Sequence, residues 1–340
     1  MEQLRLKNKF SERAVGETSK KAKTKNKYAK YGYLFSLPFI ITFSIFSLYP
    51  IIYTIMISFS DLRGIPGGSF SFQENLFQNY IEILNNPTFI VSLRNTLLLW
   101  GLNFVPQLLL ATLLAAWFTN KRLDLKYSGL LKSLFYMPNI ITAASVALLF
   151  GALFGAPIGP LNDVFVRLGF IDGPVHFFRN PRVAQGTVAF IQFWMWYGST
   201  MIIMIAGING INPTLFEAAA IDGANDFQTF FKVTLPQLKP IVLFTLVTSF
   251  IGGMQMFDIP MLLVDRSGPD NATLTAAVFI YNQAFGPSRM WNTAAAASMI
   301  LFLMCSVIAG GLFFIFRDKD AIELKKAKKN QRKKLKGGGV

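Results

Sequence analysis

Ala294-Ala-Ala-Ala-Ser-Met-Ile-Leu-Phe-Leu-Met-Cys-Ser-Val-Ile-Ala-Gly-Gly-Leu-Phe-Phe-Ile-Phe316 runs for 23 residues without a charged side chain. As a helix rising about 1.5 Å per residue it is about 35 Å long, enough to cross a hydrocarbon core of about 30 Å. A water-soluble helix of this length carries a polar face, and this stretch has almost none. Immediately after it comes a tail, 317–340, with ten Lys/Arg against three Asp/Glu. The chain turns from greasy to basic within one residue.

Five further stretches upstream share this character: Tyr33–Phe59, Asn95–Phe118, Phe135–Phe154, Gly186–Ile211 and Ile241–Val264. The six run 20 to 27 residues, and their only formal charge is Asp258. The sequence therefore predicts an all-α integral membrane protein with six transmembrane helices. Composition agrees. The 340 residues are 52% hydrophobic and 15% charged, with 34 Phe and a net charge of +15; soluble domains average about 25% charged residues. Such hydrophobicity excludes intrinsic disorder of the whole chain. A soluble nucleic-acid binder would carry its basic residues as a patch on a globular fold. One Cys and one His exclude a disulfide framework and a His/Cys metal cage built from this chain alone.

The charge is unevenly placed. Residues 1–32 also hold ten Lys/Arg and three Asp/Glu, and the 284 residues between the tails hold thirteen and twelve. Lys and Arg accumulate on the cytoplasmic side of membrane proteins. With both termini inside, the tails and the loops 119–134 and 212–240 together hold 26 Lys/Arg, whereas loops 60–94, 155–185 and 265–293 hold seven. The expected organisation is a basic cytoplasmic tail, 1–32, a six-helix domain, 33–316, and a second basic cytoplasmic tail, 317–340. Tyr33–Phe59 reads as a permanent helix kinked at Pro38 and Pro50, because its basic leader is too long for a signal peptide. The Lys-rich tails read as tethers attracted to anionic lipid. Aromatic interleaving is missing from the C-terminal one, so no nucleic acid is expected as a partner.

Loop 212–240 carries more acid than its orientation explains: Glu217, Asp222 and Asp226 against Lys232 and Lys239. Asn212 is a good N-cap and Pro213 a favoured first helical residue. A short helix should run to Ile221, break at Asp222-Gly223, and restart near Asp226. Phe227, Phe230, Phe231 and Leu235 then share a face, and Pro236 should stop the second helix. The small Ala218, Ala219, Ala220, Gly223 and Ala224 allow another backbone to approach. The pattern fits either a knob for a partner's groove or a helix pair resting on lipid.

Glu217-Ala218-Ala219, Gly223, Val233 and Leu235-Pro236 fit the spacing EAA-x3-G-x9-I-x-L-P, with Val233 for Ile as the only departure. This resembles the EAA loop of ABC-importer membrane subunits. Residues 33–316 resemble the sugar-permease branch, relatives of the maltose permease. The matching segments include Tyr49-Pro50, Gly159-Pro160-Leu161-Asn162, Phe257-Asp258 and Tyr281-Asn282-Gln283-Ala284-Phe285. Ser267-Gly268-Pro269 stands where the family shows Gly-Gly-Pro. The resemblance implies a type I importer permease core rather than an enzyme. It implies a second permease subunit, two cytosolic ATPase subunits, an extracellular solute-binding protein and a sugar substrate. It also implies that Glu217, Ala218, Ala219, Asp222, Gly223, Ala224, Leu235 and Pro236 form the contact with the ATPase. No Gly-Lys pair occurs in the chain, so the phosphate loop G-x-x-x-x-G-K-[ST] is absent. No cofactor is expected here, and ATP would be hydrolysed by the partner ATPase.

Polar groups within spans are costly and mark candidate solute contacts. Helix four offers Gln192, Trp194, Trp196 and Tyr197, and helix five Ser249, Gln255 and Asp258; Asn103 and Gln107 of helix two, and Asn139 and Thr142 of helix three, are further polar positions. The same residues also serve as interfacial aromatic anchors or helix–helix hydrogen bonds. Asp258, about 26 Å along its helix, is expected near the outer interface in a capping or pairing role. His176 and Cys305 show no partner pattern. A stand-alone secondary transporter would need ion-coupling charges in its spans, and a membrane enzyme clustered His, Asp or Cys. A glycerol 3-phosphate importer would favour inward-facing Lys or Arg, and the spans hold none.

Overall fold

The computed structural model describes residues 29–64, 71–120, 123, 125–155, 159–264 and 267–315. The C-terminal basic tail, and residues 1–28 of the N-terminal one, lie outside the described residues. The chain divides into two compact units, Met1–Met56 and Ile57–Val340. The described part of the first unit is helical and continues to Ser58. We call this helix α1; it comprises Ala29–Phe43, a π turn Ser44–Leu48, and Tyr49–Ser58. Pro38 lies inside it without ending it. Pro50 follows the π turn, in which the Tyr49 N–H reaches back five residues to the Ser44 carbonyl.

In the second unit, helix α2 (Gln78–Leu84) leads into α3 (Pro87–Thr119), the longest helix. α3 starts eight residues before the apolar stretch does, because Asn86-Pro87 is a ready-made helix start. The Asn86 side chain accepts from the amides of Thr88 (2.9 Å) and Phe89 (3.3 Å), and Pro87 has no N–H to leave unpaired. Asn180-Pro181 starts the other long helix, α7 (Pro181–Asn209), by the same device. α3 and α7 pack side by side. Ala111 and Ala115 let Met201, Met204, Ile205 and Ile208 approach at one end, and Leu99 meets Val188 and Ile191 at the other. Gln107 Nε2 donates to Thr200 Oγ1 across this seam at 2.7 Å.

The stretch Phe135–Phe154 is not one straight span. It is two half-helices, α4 (Ser128–Tyr136) and α5 (Ala143–Leu153), joined by a 3-10 turn Met137–Ile140 and bent by 88°. Pro138 has no N–H to continue the ladder. Thr142 Oγ1 accepts from the Ser145 amide at 3.3 Å and so caps α5. Asn139 Nδ2 donates to the Met195 carbonyl of α7 at 3.3 Å. Gly198 of α7 takes the bend against its bare backbone: a Cβ there would overlap the Phe135 carbonyl oxygen and stand 2.9 Å from Tyr136 Cα.

A short helix α6 (Pro160–Arg167) precedes α7. After α7 come α8 (Pro213–Ile221) and α9, the latter running as Asp226–Thr229, a π turn Phe230–Thr234, and Leu235–Gln237. The fifth stretch is likewise interrupted. α10 (Lys239–Met254) ends, Gln255 to Phe257 are non-helical, and α11 (Asp258–Leu263) follows. Thr275 Oγ1 satisfies the freed Met256 carbonyl at 2.7 Å. α11 packs on α5 through Ile259 and Leu263 against Val146, Ala147 and Phe150. α12 (Ala276–Phe285) and α13 (Trp291–Ile315) complete the unit. Asn292 at the start of α13 donates to Asn79 Oδ1 (2.9 Å), while Asn79 donates to the carbonyls of Ser58 (2.9 Å) and Ser60 (2.8 Å). Among the described residues five helical stretches are long and apolar enough to cross a membrane, and a sixth if α4 and α5 count as one broken span. The chain is a multi-pass, all-α membrane protein.

Candidate functional site

A cavity of about 450 Å3 opens between α3, α7, α10 and α11. α7 contributes Gln192, Trp196, Ser199 and Ile203, which recur every three or four residues and so share one face. α10 contributes Thr245, Ser249 and Gly252, and the interruption after it contributes Gln255. Asp258 lines the cavity from the first residue of α11 and makes no hydrogen bond or ion pair with a described residue. Of the polar candidates read from the sequence, the fold gathers Gln192, Trp196, Ser249, Gln255 and Asp258 here, together with Asn103 and Gln107.

Trp194 and Tyr197 face elsewhere. They sit two and one residues from the cavity-facing positions 192 and 196, which turns them off that face. Trp194 packs edge-on to Phe150 of α5, centroids 5.6 Å apart, and Tyr197 is buried against Phe193 (5.7 Å) and Phe135 (6.3 Å). Trp100 is a lining residue that the sequence reading passed over. Its Nε1 donates to Ser249 Oγ at 3.2 Å, and its ring lies so close to Gly253 that a side chain there would overlap it. The signal was available, because Trp100, Asn103 and Gln107 fall three and four apart on one face of α3.

The lining offers hydrogen-bond donors and acceptors together with an exposed aromatic ring. Trp196 is half exposed and its Nε1 donates to Gln192 Oε1 at 3.1 Å, so ring and amide present one surface. Thr245 Oγ1 is buried with no hydrogen-bond partner among the described residues. Among the described residues no lining side chain is positively charged.

The second feature is loop 212–240, built from α8 and α9. Asn212 caps α8 by accepting from the Thr214 amide at 3.1 Å. Gly223 turns the chain with φ +74°, a left-handed conformation that disfavours other residues, and a Cβ there would meet nothing, so its role is conformational. Asn225 and Gln228 form a reciprocal capping box: Asn225 Oδ1 accepts from the Gln228 amide (2.8 Å) and Gln228 Oε1 from the Asn225 amide (3.1 Å). Glu217, Ala218, Asp222, Gly223 and Pro236 are exposed, Ala224 and Leu235 half-buried, and Ala219 buried. Ile221 and Phe227 are 87% and 70% exposed, so the loop's tip is apolar and bare in the isolated chain.

Pro236 does not stop the second helix as expected. The π turn ahead of it carries the Leu235 N–H to the Phe230 carbonyl, and the helix continues through Pro236 to Gln237. The loop is anchored just beyond. Leu238 is fully buried in the cluster with Met201, Met204 and Ile208, and it lies against Gly207 of α7, where a Cβ would stand 2.9 Å from Leu238 Cδ2. Asn120, at the end of α3, donates to Asp226 Oδ2 at 3.1 Å. One rigid helix, α7, thus touches the loop anchor at Gly207 and the cavity at Gln192, about 22 Å apart along its axis.

Comparisons with known proteins agree with this architecture. The model of the family of binding-protein-dependent transport system inner membrane components matches residues 25–319. The lactose transport system permease protein LacF of Rhizobium radiobacter is 31% identical over 303 residues, which cover 89% of this chain and 99% of that protein. The arabinooligosaccharides transport system permease protein AraP of Bacillus subtilis is 34% identical over 278 residues, covering 81% and 85%. Among solved structures, a chain of a bacterial ABC transporter involved in the import of the acidic polysaccharide alginate superposes with a TM-score of 0.71. It is 24% identical, covers 86% of this chain and 96% of its own, and shares the fold. The match over nearly the whole described chain places this protein in that family: it belongs to the inner membrane components of binding-protein-dependent transport systems, as a permease subunit of an ABC importer.

Proposed function

We propose that this subunit conducts neutral sugars, oligosaccharides above all, and that it is driven through loop 212–240 by a partner ATPase. The observation that carries the sugar reading is the cavity lining. Trp196 offers a ring face for the apolar side of a pyranose, and Gln192, Ser249 and Gln255 offer hydrogen bonds to hydroxyls. The relatives named for lactose and arabinooligosaccharides support the same cargo class. A phosphate ester such as glycerol 3-phosphate would meet no cation among the described lining residues. The solute arrives from an extracellular binding protein, and a second permease subunit, a different chain, completes the pathway.

Loop 212–240 docks in a cleft of the ATPase, with Glu217, Ala218, Ala219, Asp222, Gly223, Ala224, Leu235 and Pro236 at the contact. Its exposed apolar tip and its buried anchor at Leu238 support this role. ATP is bound and hydrolysed by two partner ATPase subunits. The loop and both termini face the cytoplasm, and the basic tails, 1–32 and 317–340, rest on anionic lipid around the permease domain, 33–316. The test is uptake and ATP hydrolysis by the reconstituted importer. Gln192→Ala and Gln255→Ala should each lower sugar uptake about tenfold, roughly the worth of a lost hydrogen bond in a dry site. Glu217→Ala and Gly223→Val should abolish uptake and release the ATPase. Unchanged uptake in both cavity variants refutes the sugar path, and unchanged docking in both loop variants refutes the coupling.

A further inference from the structure

Membrane orientation counts Lys and Arg alike, so the choice between them carries separate information. All seven cations of loops 60–94, 155–185 and 265–293 are Arg and none is Lys. The 26 of the two tails and of loops 119–134 and 212–240 are 21 Lys and five Arg. The two side chains differ in what they hold. An ammonium is a point charge, sufficient to attract an anionic lipid surface. A guanidinium is a planar fork that grips a carboxylate with two parallel hydrogen bonds, and protein interfaces are enriched in Arg and depleted of Lys.

Two of the arginines in these loops are engaged within the chain, Arg167 with Asp163 at 2.8 Å and Arg63 with Glu82 at 3.7 Å. Arg94, Arg179, Arg182 and Arg289 are exposed, and none of them pairs with an acid among the described residues. Two of these four stand where they cost stability. Arg289 has φ +43°, a left-handed conformation rare for a long side chain. The turn is held in spite of it: the Arg289 carbonyl accepts from the Gly64 amide at 2.9 Å, and the Met290 amide donates to the Gln283 carbonyl at 2.8 Å. Arg182 is the second residue of α7, where the positive end of the helix dipole repels a cation. Strain and repulsion borne by exposed cations point to a task outside the fold. We propose that these loops dock the extracellular binding protein through carboxylates on that protein, with Arg289 and Arg182 as the forks that receive them. The proposal rests on the reading that loop 212–240 faces the cytoplasm, which puts these three loops outside.

The test is the affinity of the intact importer for its fluorescently labelled binding protein, measured both in dodecyl maltoside and in phosphatidylcholine nanodiscs. Arg289→Asn should weaken binding about tenfold in both media. Its melting midpoint should not fall, because Asn takes the left-handed conformation more readily than Arg. Arg182→Gln should weaken binding about threefold, again with no loss of midpoint. Arg289→Lys should recover little of the affinity, because an ammonium keeps the charge and loses the fork. Arg167→Gln is the control and should bind normally, since Asp163 already occupies that guanidinium. Unchanged affinity in Arg289→Asn overturns the docking surface, as does full affinity in Arg289→Lys or an equal loss in Arg167→Gln. A loss seen in nanodiscs and absent in detergent assigns the arginines to lipid phosphate and overturns it too. Sidedness is read separately on intact cells: with Cys305→Ser removing the native thiol, Ser288→Cys should react with a membrane-impermeant maleimide. Reaction only after the membrane is breached sinks the assigned orientation and the docking surface with it. Reaction from outside with normal binding in Arg289→Asn sinks the docking surface alone.

Discussion

α3 and the α4–α5 pair each carry an internal proline, yet only one of them is broken. Pro106 sits inside a continuous 33-residue helix, while Pro138 sits at an 88° bend. Proline removes one backbone bond in both places, so the ring alone does not decide the outcome. The difference lies in what surrounds it. At the bend, Thr142 starts a new helix, Asn139 spends its side chain on the Met195 carbonyl, and Gly198 leaves room for the Phe135 carbonyl. Pro106 is followed by no comparable helix start. A proline loosens a helix, and caps and tertiary contacts determine whether it turns.

Substitutions can break or sharpen this contrast. The largest effect is expected from Gly198→Val. Its side chain overlaps the α4 backbone, which cannot swing away as a flexible side chain could, and should cost about 3 kcal/mol. A thermal melt of the purified complex should show a clear fall, and an unchanged midpoint would mean that the bend is not seated there. Asn139→Ala with Thr142→Ala removes the inter-helix bond and the cap together, at a cost of about 2 kcal/mol. Spin labels on α4 and α5 should then report a wider spread of distances; a single sharp distance would restore Pro138 as the sole cause. Gly253→Ala should displace the Trp100 ring and break its bond to Ser249, costing about 1 kcal/mol and lowering sugar uptake. Normal uptake would remove Trp100 from the solute path. Pro106→Ala should be the mildest, shifting stability by less than about 1 kcal/mol with uptake intact. A large change there would erase the contrast.

Much of this arrangement was legible in the sequence, because a bilayer reduces the problem to length and charge. The apolar stretches name the spans, and Asn86-Pro87 and Asn180-Pro181 explain where two of them begin. The turn at Gly223 and the helix restart near Asp226 were legible in loop 212–240 because local chemistry makes them. The bend at Pro138 was not, since apolar content is blind to direction within a span. Nor was the orientation of Trp194 and Tyr197, although a strict count of helical positions from Gln192 separates them from Trp196. Pro236 misled because a proline's effect depends on its neighbours, and a π turn absorbed it.

That π turn has a further consequence. A π turn holds one more residue than an α-helical turn of the same span, so Phe230–Thr234 amounts to a one-residue insertion. Each residue of an α-helix advances about 100° around the axis. Winding Phe230–Thr234 as α-helix with every residue kept would therefore rotate everything before it by about that angle relative to Leu238, whereas deleting one residue together with the π turn would leave the orientation nearly unchanged. In the first case Glu217 and Ile221 would keep their local structure and point in a new direction. The aim of the loop, as distinct from its shape, is set by how that surplus residue is wound.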